Sequence, residues 1–574
     1  MADQIRHVVI IDIDGLRRDV LYNTLAEDSL REDTNRRLPN LSKIVGSLSL
    51  EKISSPDAIT LSGDYNVTQS ESIVVNRCVT AFPSYTYPCQ TSIFTGLFPK
   101  HHGITANFHF DRMGRSVGAK GKTENYSKFE ALSFFMNEGS GSRMMNRGTQ
   151  TIYDYLHEQY KCAVCYNLFV SQNKGAVNHI VGVFPWRLPW RFDGADPKTI
   201  DWIIPDIFNQ TQFITERAAD GIGDYRENFD GEMMDDAIRY LEDFVRHKHA
   251  PPNLFTLYFG GHDHQAHIHL RGELQDHGDL IAQRDYLINT VDTQLGRFLR
   301  TWTSLSKFAP LDDTLFVICS DHGHTGAELN DAKRITRAEV KALLKRCGYD
   351  VLGKGEYGEI ESSCNAIITV TAAAAQIYIR RGIFGYRARG EKIDWQEQPT
   401  FKDLRELLQE FSKANQGIST VNNFLANALD YILFKDYEKN VYQVYHYDQH
   451  RAGDHIAALK SNFGDKQGYI LAVDRLQEMY GDNSGDIILL INYQHDFRFE
   501  KSHRMRSTHG SLYPSDSYVP LIFATPFNRK LMKKAAAGSY TSGVVQQARI
   551  YDITPTIVGQ FGIHPPNLDG KALF

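Results

Sequence analysis

Short apolar runs punctuate the chain, and helix-length amphipathic stretches separate them. The runs are Val8–Ile13, Ala163–Asn167, Leu254–Phe259, Leu315–Ser320, Asp486–Ile491 and Val519–Ala524. Each is nearly continuous rather than alternating, the pattern of strands covered on both faces of a parallel sheet. Between them, Asp235–Val245 and Tyr286–Leu299 place apolar residues three and four apart. In the second these are Ile288, Val291, Leu295, Phe298 and Leu299, one face of a helix. Strands alternating with helices predict a doubly wound α/β fold with a mostly parallel sheet. Ligands of such a fold sit outside the carboxyl ends of the strands.

From about Tyr386 to Tyr480 the texture changes to charged and aromatic residues, with one clear helix over Phe401–Ala414 and little strand character. The expectation is an inserted cap at 386–480, extending a sheet begun near Gln376–Ile379 and dividing a catalytic core into 1–385 and 481–574. A second, polar insertion, Ala332–Ser363 (332–363), follows the strand at Leu315. The length of 574 residues agrees, because single hydrophobic cores stop growing at roughly 250–300 residues.

Composition changes this picture little: 42% hydrophobic and 23% charged residues describe an ordinary globular chain. A net charge of −6 argues against a general polyanion binder, hence against general nucleic-acid binding. No apolar stretch reaches the length of a membrane span. The N-terminal MADQIRHVVIIDIDG enters a strand pattern at once, leaving no room for a signal peptide, so a cytoplasmic protein is expected. Of seven cysteines, Cys162 and Cys165 have a Cys-x-x-Cys spacing, but they lie in an apolar run without a second pair. Buried small hydrophobes are the better reading than zinc or redox chemistry.

The candidate chemistry sits where strands end. Val8–Ile13 runs into Asp14-Gly15, with Asp12 one step before. Leu254–Phe259 runs into GGHDHQAHIHL, containing Asp263 and His267. Leu315–Ser320 runs into Asp321-His322-Gly323-His324, and Thr508-His509-Gly510-Ser511 precedes Val519. An isolated Asp-Gly is more often a turn and a lone His cluster more often polar surface, but four such motifs in order converge on one crevice of an open α/β sheet. Their mixed oxygen and nitrogen donors without thiolate suit two divalent metal ions, Zn²⁺ or Mn²⁺. Two ions ~3.5–4 Å apart would clamp the attacking and leaving oxygens of an in-line displacement.

The segment from Ala81 to Ile104, AFPSYTYPCQTSIFTGLFPKHHGI, completes the set. With a Thr two residues before a Pro, then a helix, Thr-Gly and His-Gly-Ile, it resembles the nucleophile segment of the alkaline phosphatase superfamily. The likeness is greatest to the type I phosphodiesterase/nucleotide pyrophosphatase branch, and it extends from Asp14 to the C-terminal YDITPTIVGQFGIHPPNLDG. The resemblance implies one metal site of Asp14, Thr86, Asp321 and His322 and another of Asp263, His267 and His509. Asp14 is favoured over Asp12 because the family's ligand immediately precedes Gly. Thr86 would be the nucleophile, at a helix N-terminus that favours an incoming phosphate. Asn107, in HGITANFHFD, would donate to a non-bridging phosphoryl oxygen. His262, His264, His269 and His324 are expected to orient ligands or be exposed. His101 and His102 should shape the loop after the nucleophile helix, and Cys89 matches no nucleophile position. Sulfatases carry a modified Cys where this chain has Thr86, which argues against sulfate-ester hydrolysis.

The implied reaction is hydrolysis of a phosphate ester through a covalent phospho-threonine. The implied partner is a small phosphate ester or nucleotide-like molecule, and nothing in the sequence specifies an oligomeric state. An aromatic stretch, Val183–Phe192, offers a wall for the second substituent of a diester, with a core or surface role equally open. Lys174 lies where monoesterases carry a cationic pair but lacks the Lys-x-Arg spacing. A diesterase is therefore expected ahead of a phosphomonoesterase. A phosphotransferase and a non-catalytic relative rank lower, since no key position is missing.

Overall fold

The computed structural model describes residues 4–52, 65–113, 128–130, 145–160, 165–166, 179–180, most of 230–246, 250–268, 278–307, 311–326, 331–351, 364–380, 395–420, 423–464, 468–499, 507–531 and 542–574. In chain order, the strands of its two large sheets begin with β1 (His7–Ile13), β2 (Ile73–Val79), β3 (Leu254–Phe259) and β4 (Thr314–Cys319). Next come β5 (Ala366–Val370), β6 (Ala374–Ile379), β7 (Leu429–Asp436), β8 (Val441–Asp448), β9 (Gly453–Ala458) and β10 (Ile487–Ile491). The last are β11 (Tyr518–Val519), β12 (Leu521–Ala524) and β13 (Val544–Arg549).

In the first sheet β1 lies next to the edge strand β3 and is parallel to both neighbours, β3 and β4. β12 lies antiparallel between β4 and β2, and β13 runs parallel along β2. β11 pairs with the far end of β2, separated from β12 by Pro520, which has no N–H to give to a ladder. Thus β1, β2, β3, β4 and β13 point one way, and only the β11–β12 segment runs against them. Alternate residues of each strand enter different cores. Val8 and Ile10 join Leu315, Val317 and Tyr258 on one face; Val9, Ile11 and Ile13 join Phe316, Ile318, Phe255 and Phe259 on the other. Both faces are covered, which is why the apolar runs do not alternate. The expected mostly parallel α/β architecture is present.

The second sheet, in the order β5-β6-β10-β7-β8-β9, is antiparallel throughout. It departs from the sequence expectation in two respects. Asp486–Ile491, expected in the parallel sheet, supplies β10 here: a continuous apolar run reports burial on both faces but not the direction of the neighbours. The stretch expected to have little strand character supplies β7, β8 and β9. Helix Phe401–Asn415 covers this sheet with Leu404, Leu407, Leu408 and Phe411, packed with Ile432, Phe434 and Tyr445. The polar insertion contributes helix Arg337–Arg346, started by a capping box of Thr336 and Glu339. Its Val340, Leu343 and Leu344 enter the same core. Residues 352–363 of that insertion lie outside the described residues, as does most of Ala163–Asn167; Cys165–Tyr166 pairs with His179–Ile180 in a small separate sheet.

Asp486, just before β10, ties this sheet to the loop beyond Asn107. It accepts from Ile379 N–H at 2.6 Å and Tyr437 Oη at 2.5 Å, and pairs with the buried guanidinium of Arg112. Burial opposes the charge on Arg112, but the Asp486 carboxylate more than offsets it and raises the pKa. Asp486→Ala leaves that charge buried and unpaired, so unfolding in urea should show a loss of about 3–5 kcal/mol. Replacing both partners with apolar residues, Arg112→Met with Asp486→Leu, should recover much of it.

Candidate metal centre and nucleophile

The topology brings the candidate residues to one edge of the first sheet. Asp14 follows the end of β1, helix Gly261–Ile268 follows β3, and Ser320-Asp321-His322 follows β4. β2 ends at the same edge and leads through 80–85 into helix Thr86–Thr95. Because β11 runs the opposite way, it starts at this edge, and the turn before it delivers His509 there.

The loop 80–85 that leads into Thr86 is held from the second sheet's side. Arg475, fully buried on helix Ala472–Met479, donates through Nη2 to Thr80 Oγ1 at 2.9 Å, Ala81 O at 2.9 Å and Ser84 Oγ at 2.7 Å. Ser84 Oγ donates to Ser511 O at 2.9 Å, and Tyr85 Oη accepts from Ala373 N–H at 3.1 Å. Helix Thr86–Thr95 has no side-chain cap. Instead, Asn107 Oδ1 accepts from Tyr87 N–H at 3.1 Å, which fixes the amide plane.

Two groups of donor atoms form. In the first, His322 Nε2 lies 3.1 Å from Thr86 Oγ1, 3.3 Å from Asp14 Oδ1 and 3.5 Å from Asp321 Oδ2. In the second, Asp263 Oδ1 lies 3.5 Å from His267 Nε2 and 3.6 Å from His509 Nε2, and those two nitrogens are 3.2 Å apart. The His322 and His509 rings stack at 3.6 Å and join the groups. The structure thus brings together Asp14, Thr86, Asp321 and His322, and Asp263, His267 and His509, with Asn107 beside the helix start.

These donors fit divalent cations on three grounds. First, Nδ1 of His267, His322 and His509 lies 2.8–3.1 Å from backbone carbonyls of Ser507, Gly323 and Ser84. A carbonyl only accepts, so Nδ1 carries the proton and a neutral ring turns its Nε2 lone pair inward. Lone pairs facing one another need a proton or cation between them. Second, Asp14 Oδ1 and Asp321 Oδ2 are buried with no hydrogen-bond donor among the described residues. Asp321 Oδ1, in contrast, accepts from Gly15 and His322 N–H. Third, tetrahedral bonds of ~2.0–2.2 Å separate donor atoms by ~3.3–3.6 Å, close to the spacings found.

The electrostatics agree. Burial pushes the Asp14 and Asp321 carboxyls up, and the other carboxylates of the pocket push them further. Burial also acts upward on Asp263, but His267, His324 and His509 outweigh it and leave its carboxyl well below the usual range. Burial lowers His509 well below its ordinary value, His262 to about 4 and His324 to about 3.

The neighbours sort themselves by contact. Asp12 stays one step back, beside Cys319, and enters neither group. His262 Nδ1 donates to Asp14 O at 2.9 Å. His102 bonds Ser92 Oγ at 3.0 Å and accepts from Ile104 N–H at 3.1 Å, shaping the loop as expected. Cys89 is buried, and its thiol is pushed well up by that burial. His269, Lys174 and Val183–Phe192 lie outside the described residues. Sequence reasoning undervalued His324, which is fully buried with Nε2 at 2.7 Å from Asp263 Oδ1. It also passed over Tyr258, whose hydroxyl donates to Asp14 Oδ2. The available signals were a second His two positions past His322 and a phenol inside an apolar strand. Gly15 answers to His324 as well: its φ is +70°, and a Cβ there would stand 2.7 Å from His324 Nε2.

Residues 8–511 match the type I phosphodiesterase/nucleotide pyrophosphatase family. No curated protein matches the chain. Among solved structures, wild-type alkaline phosphatase PafA is 15% identical with a TM-score of 0.54, covering 100% of this chain and 99% of that one. Murine ectonucleotide pyrophosphatase/phosphodiesterase 5, solved in complex with AMP as an inactive variant, is 13% identical with a TM-score of 0.49, covering 99% and 97%. The chain belongs to the type I phosphodiesterase/nucleotide pyrophosphatase family, on an alkaline phosphatase-like fold.

Proposed function

We propose that this protein hydrolyses phosphodiesters of small, nucleotide-like molecules, using Thr86 as nucleophile. Two divalent cations, zinc or manganese, would be held by Asp14, Thr86, Asp321 and His322 and by Asp263, His267 and His509. The observation that carries the reading is the Thr86 hydroxyl, at the start of an uncapped helix, among buried donors spaced for a cation. When bound, the ions supply Lewis-acid stabilisation of phosphoryl oxygens and favour the deprotonated hydroxyl.

The chain's own residues do the rest. Thr86 Oγ forms a bond to phosphorus as the bond to the leaving alcohol breaks, and hydrolysis of the phospho-threonine returns the hydroxyl. Tyr87 N–H holds Asn107 by its oxygen, leaving the amide's NH₂ end to donate to a phosphoryl oxygen. The positive end of the helix starting at Thr86 favours the same negative charge, although Tyr87 N–H is given to Asn107 and Pro88 has none. Tyr258 and His262 hold Asp14 at its carboxylate and its carbonyl. Arg475 keeps the loop before Thr86 in place.

Turnover of bis-p-nitrophenyl phosphate should exceed that of p-nitrophenyl phosphate, and a clear preference for the monoester would overturn the diesterase reading. Thr86→Ala should lower kcat on the order of 10³-fold or more while the protein keeps its metal; metal-replete protein with undiminished activity refutes the mechanism. Asn107→Ala should cost roughly 10²–10³-fold in kcat, and an unchanged rate would remove Asn107 from the site. Exhaustive chelation should abolish turnover, and adding back zinc or manganese should restore it.

A further inference from the structure

We propose that His324 is a fourth protein ligand of the second cation, so that Asp263, His267, His324 and His509 form a nitrogen-rich site directed to zinc. The inference rests on the two-cation reading above and sharpens it, since the first group offers three oxygens and one nitrogen and the second three nitrogens and one oxygen.

The geometry is that of a built site. One donor atom from each of the four residues lies within 4.8 Å of all the others. His324 is wholly buried, and its backbone is registered against that of His509 by a short ladder pairing Thr325 with Thr508 and Gly326 with Ser507. Ser507 addresses two rings at once. Its carbonyl accepts from His267 Nδ1 at 2.8 Å, and its hydroxyl lies 3.1 Å from His324 Nδ1. With Nδ1–H donated to that hydroxyl, Nε2 of His324 presents a lone pair to the group, as His267 and His509 do. Its 2.7 Å approach to Asp263 Oδ1 is then the short edge of a four-donor set whose other measured edges are 3.2–3.6 Å. The competing role is an outer one, in which Nε2–H donates to Asp263 and the ring never meets the ion. Imidazole-rich sets favour zinc over manganese, which prefers carboxylate, carbonyl and water oxygens. With four protein donors, zinc would meet a phosphoryl oxygen only by expanding to five-coordinate, which zinc sites allow.

The test uses the full chain loaded with zinc, with wild type compared with His324→Asn, His324→Ala and Ser507→Ala. Each is titrated with a chromogenic chelator, bound zinc is counted by mass spectrometry, and forms carrying one equivalent of cobalt(II) are compared by visible absorption. Wild type should hold two ions. Both His324 variants should release one of them more than about a hundredfold more readily, beyond the roughly 10–100-fold loss that an outer partner causes, whereas Ser507→Ala should fall inside that range. The cobalt band should change in the His324 variants. Unchanged affinity and spectrum in both His324 variants, or wild-type protein that binds manganese but no zinc, overturn the inference and leave the two-cation reading intact, whereas wild-type protein that binds neither zinc nor manganese overturns both. Should the variants not fold, X-ray absorption of one-zinc wild type gives the answer directly: three imidazoles support the assignment and two refute it.

Discussion

Three carboxylates, Asp14, Asp263 and Asp321, share one pocket at the edge of the first sheet, where burial and the neighbouring carboxylates push Asp14 and Asp321 up while the imidazoles around Asp263 hold it low. Burial alone disfavours a carboxylate, and like charges a few ångströms away add to the penalty. Around them, among the described residues, stand the imidazoles of His267, His322, His324 and His509. The Nδ1 protons of His267, His322 and His509 are pinned on backbone carbonyls, so these rings turn their Nε2 lone pairs inward as donors. A constellation of this kind is poorly satisfied by protein alone. It makes sense as a receptor for small, highly charged cations, and the remaining architecture can be followed from the need to keep it rigid.

Rigidity comes from both sheets. The parallel strands set Asp14 and Asp321 on immobile backbone, with Ser320 Oγ bridging Leu16 N–H and His322 O at 2.9 Å each. The second sheet acts on the loop before Thr86 rather than on the Asp and His donors. Arg475 gathers Thr80, Ala81 and Ser84 with a single buried guanidinium, and Ala373 fixes the Tyr85 ring, which packs edge-on to His509 at 5.1 Å. A mobile loop would let Thr86 drift relative to His322, and small displacements at a reacting centre are costly. The region with insertion-like composition thus contributes directly, through Arg475, to holding the loop before Thr86.

How much of this was legible follows from which interactions are local in sequence. Strands buried on both faces announce themselves by continuous apolar runs, and their ends carry Asp14, Asp321 and His322 a residue or two later. The motif around Thr86 was legible through family resemblance, because a Thr before Tyr-Pro has no special meaning in isolation. The second sheet was obscured by its own polarity: Lys435 on β7 is buried, donating to the carbonyls of Gly481 and Ser484, and so breaks the apolar pattern of an interior strand. The neighbours of His324 and Tyr258 lie far away in sequence, at Asp263 and Asp14, so no local pattern could give their contacts. What spacing recorded was the side chain; what it could not record was the partner.

The reversed β11–β12 segment resolves a difficulty that a purely parallel sheet would create. In parallel strands every carboxyl end lies at the functional edge, and the chain must cross back behind the sheet before it can contribute again. A strand inserted antiparallel between β4 and β2 begins at the functional edge, so the residues leading into it are already there. That is how Thr508-His509-Gly510, far along the chain from Asp14, Asp263 and Asp321, comes to face them from the short Ser507–Thr508 ladder rather than from the end of a strand of the first sheet. The same turn places Ser507 between the rings of His267 and His324 and carries Ser511, whose carbonyl receives the Ser84 hydroxyl of the loop before Thr86. One reversal in strand direction therefore couples the second group of donors to the position of Thr86. A change in the 507–511 turn should be felt at the Asp263, His267 and His509 donors and at Thr86 together.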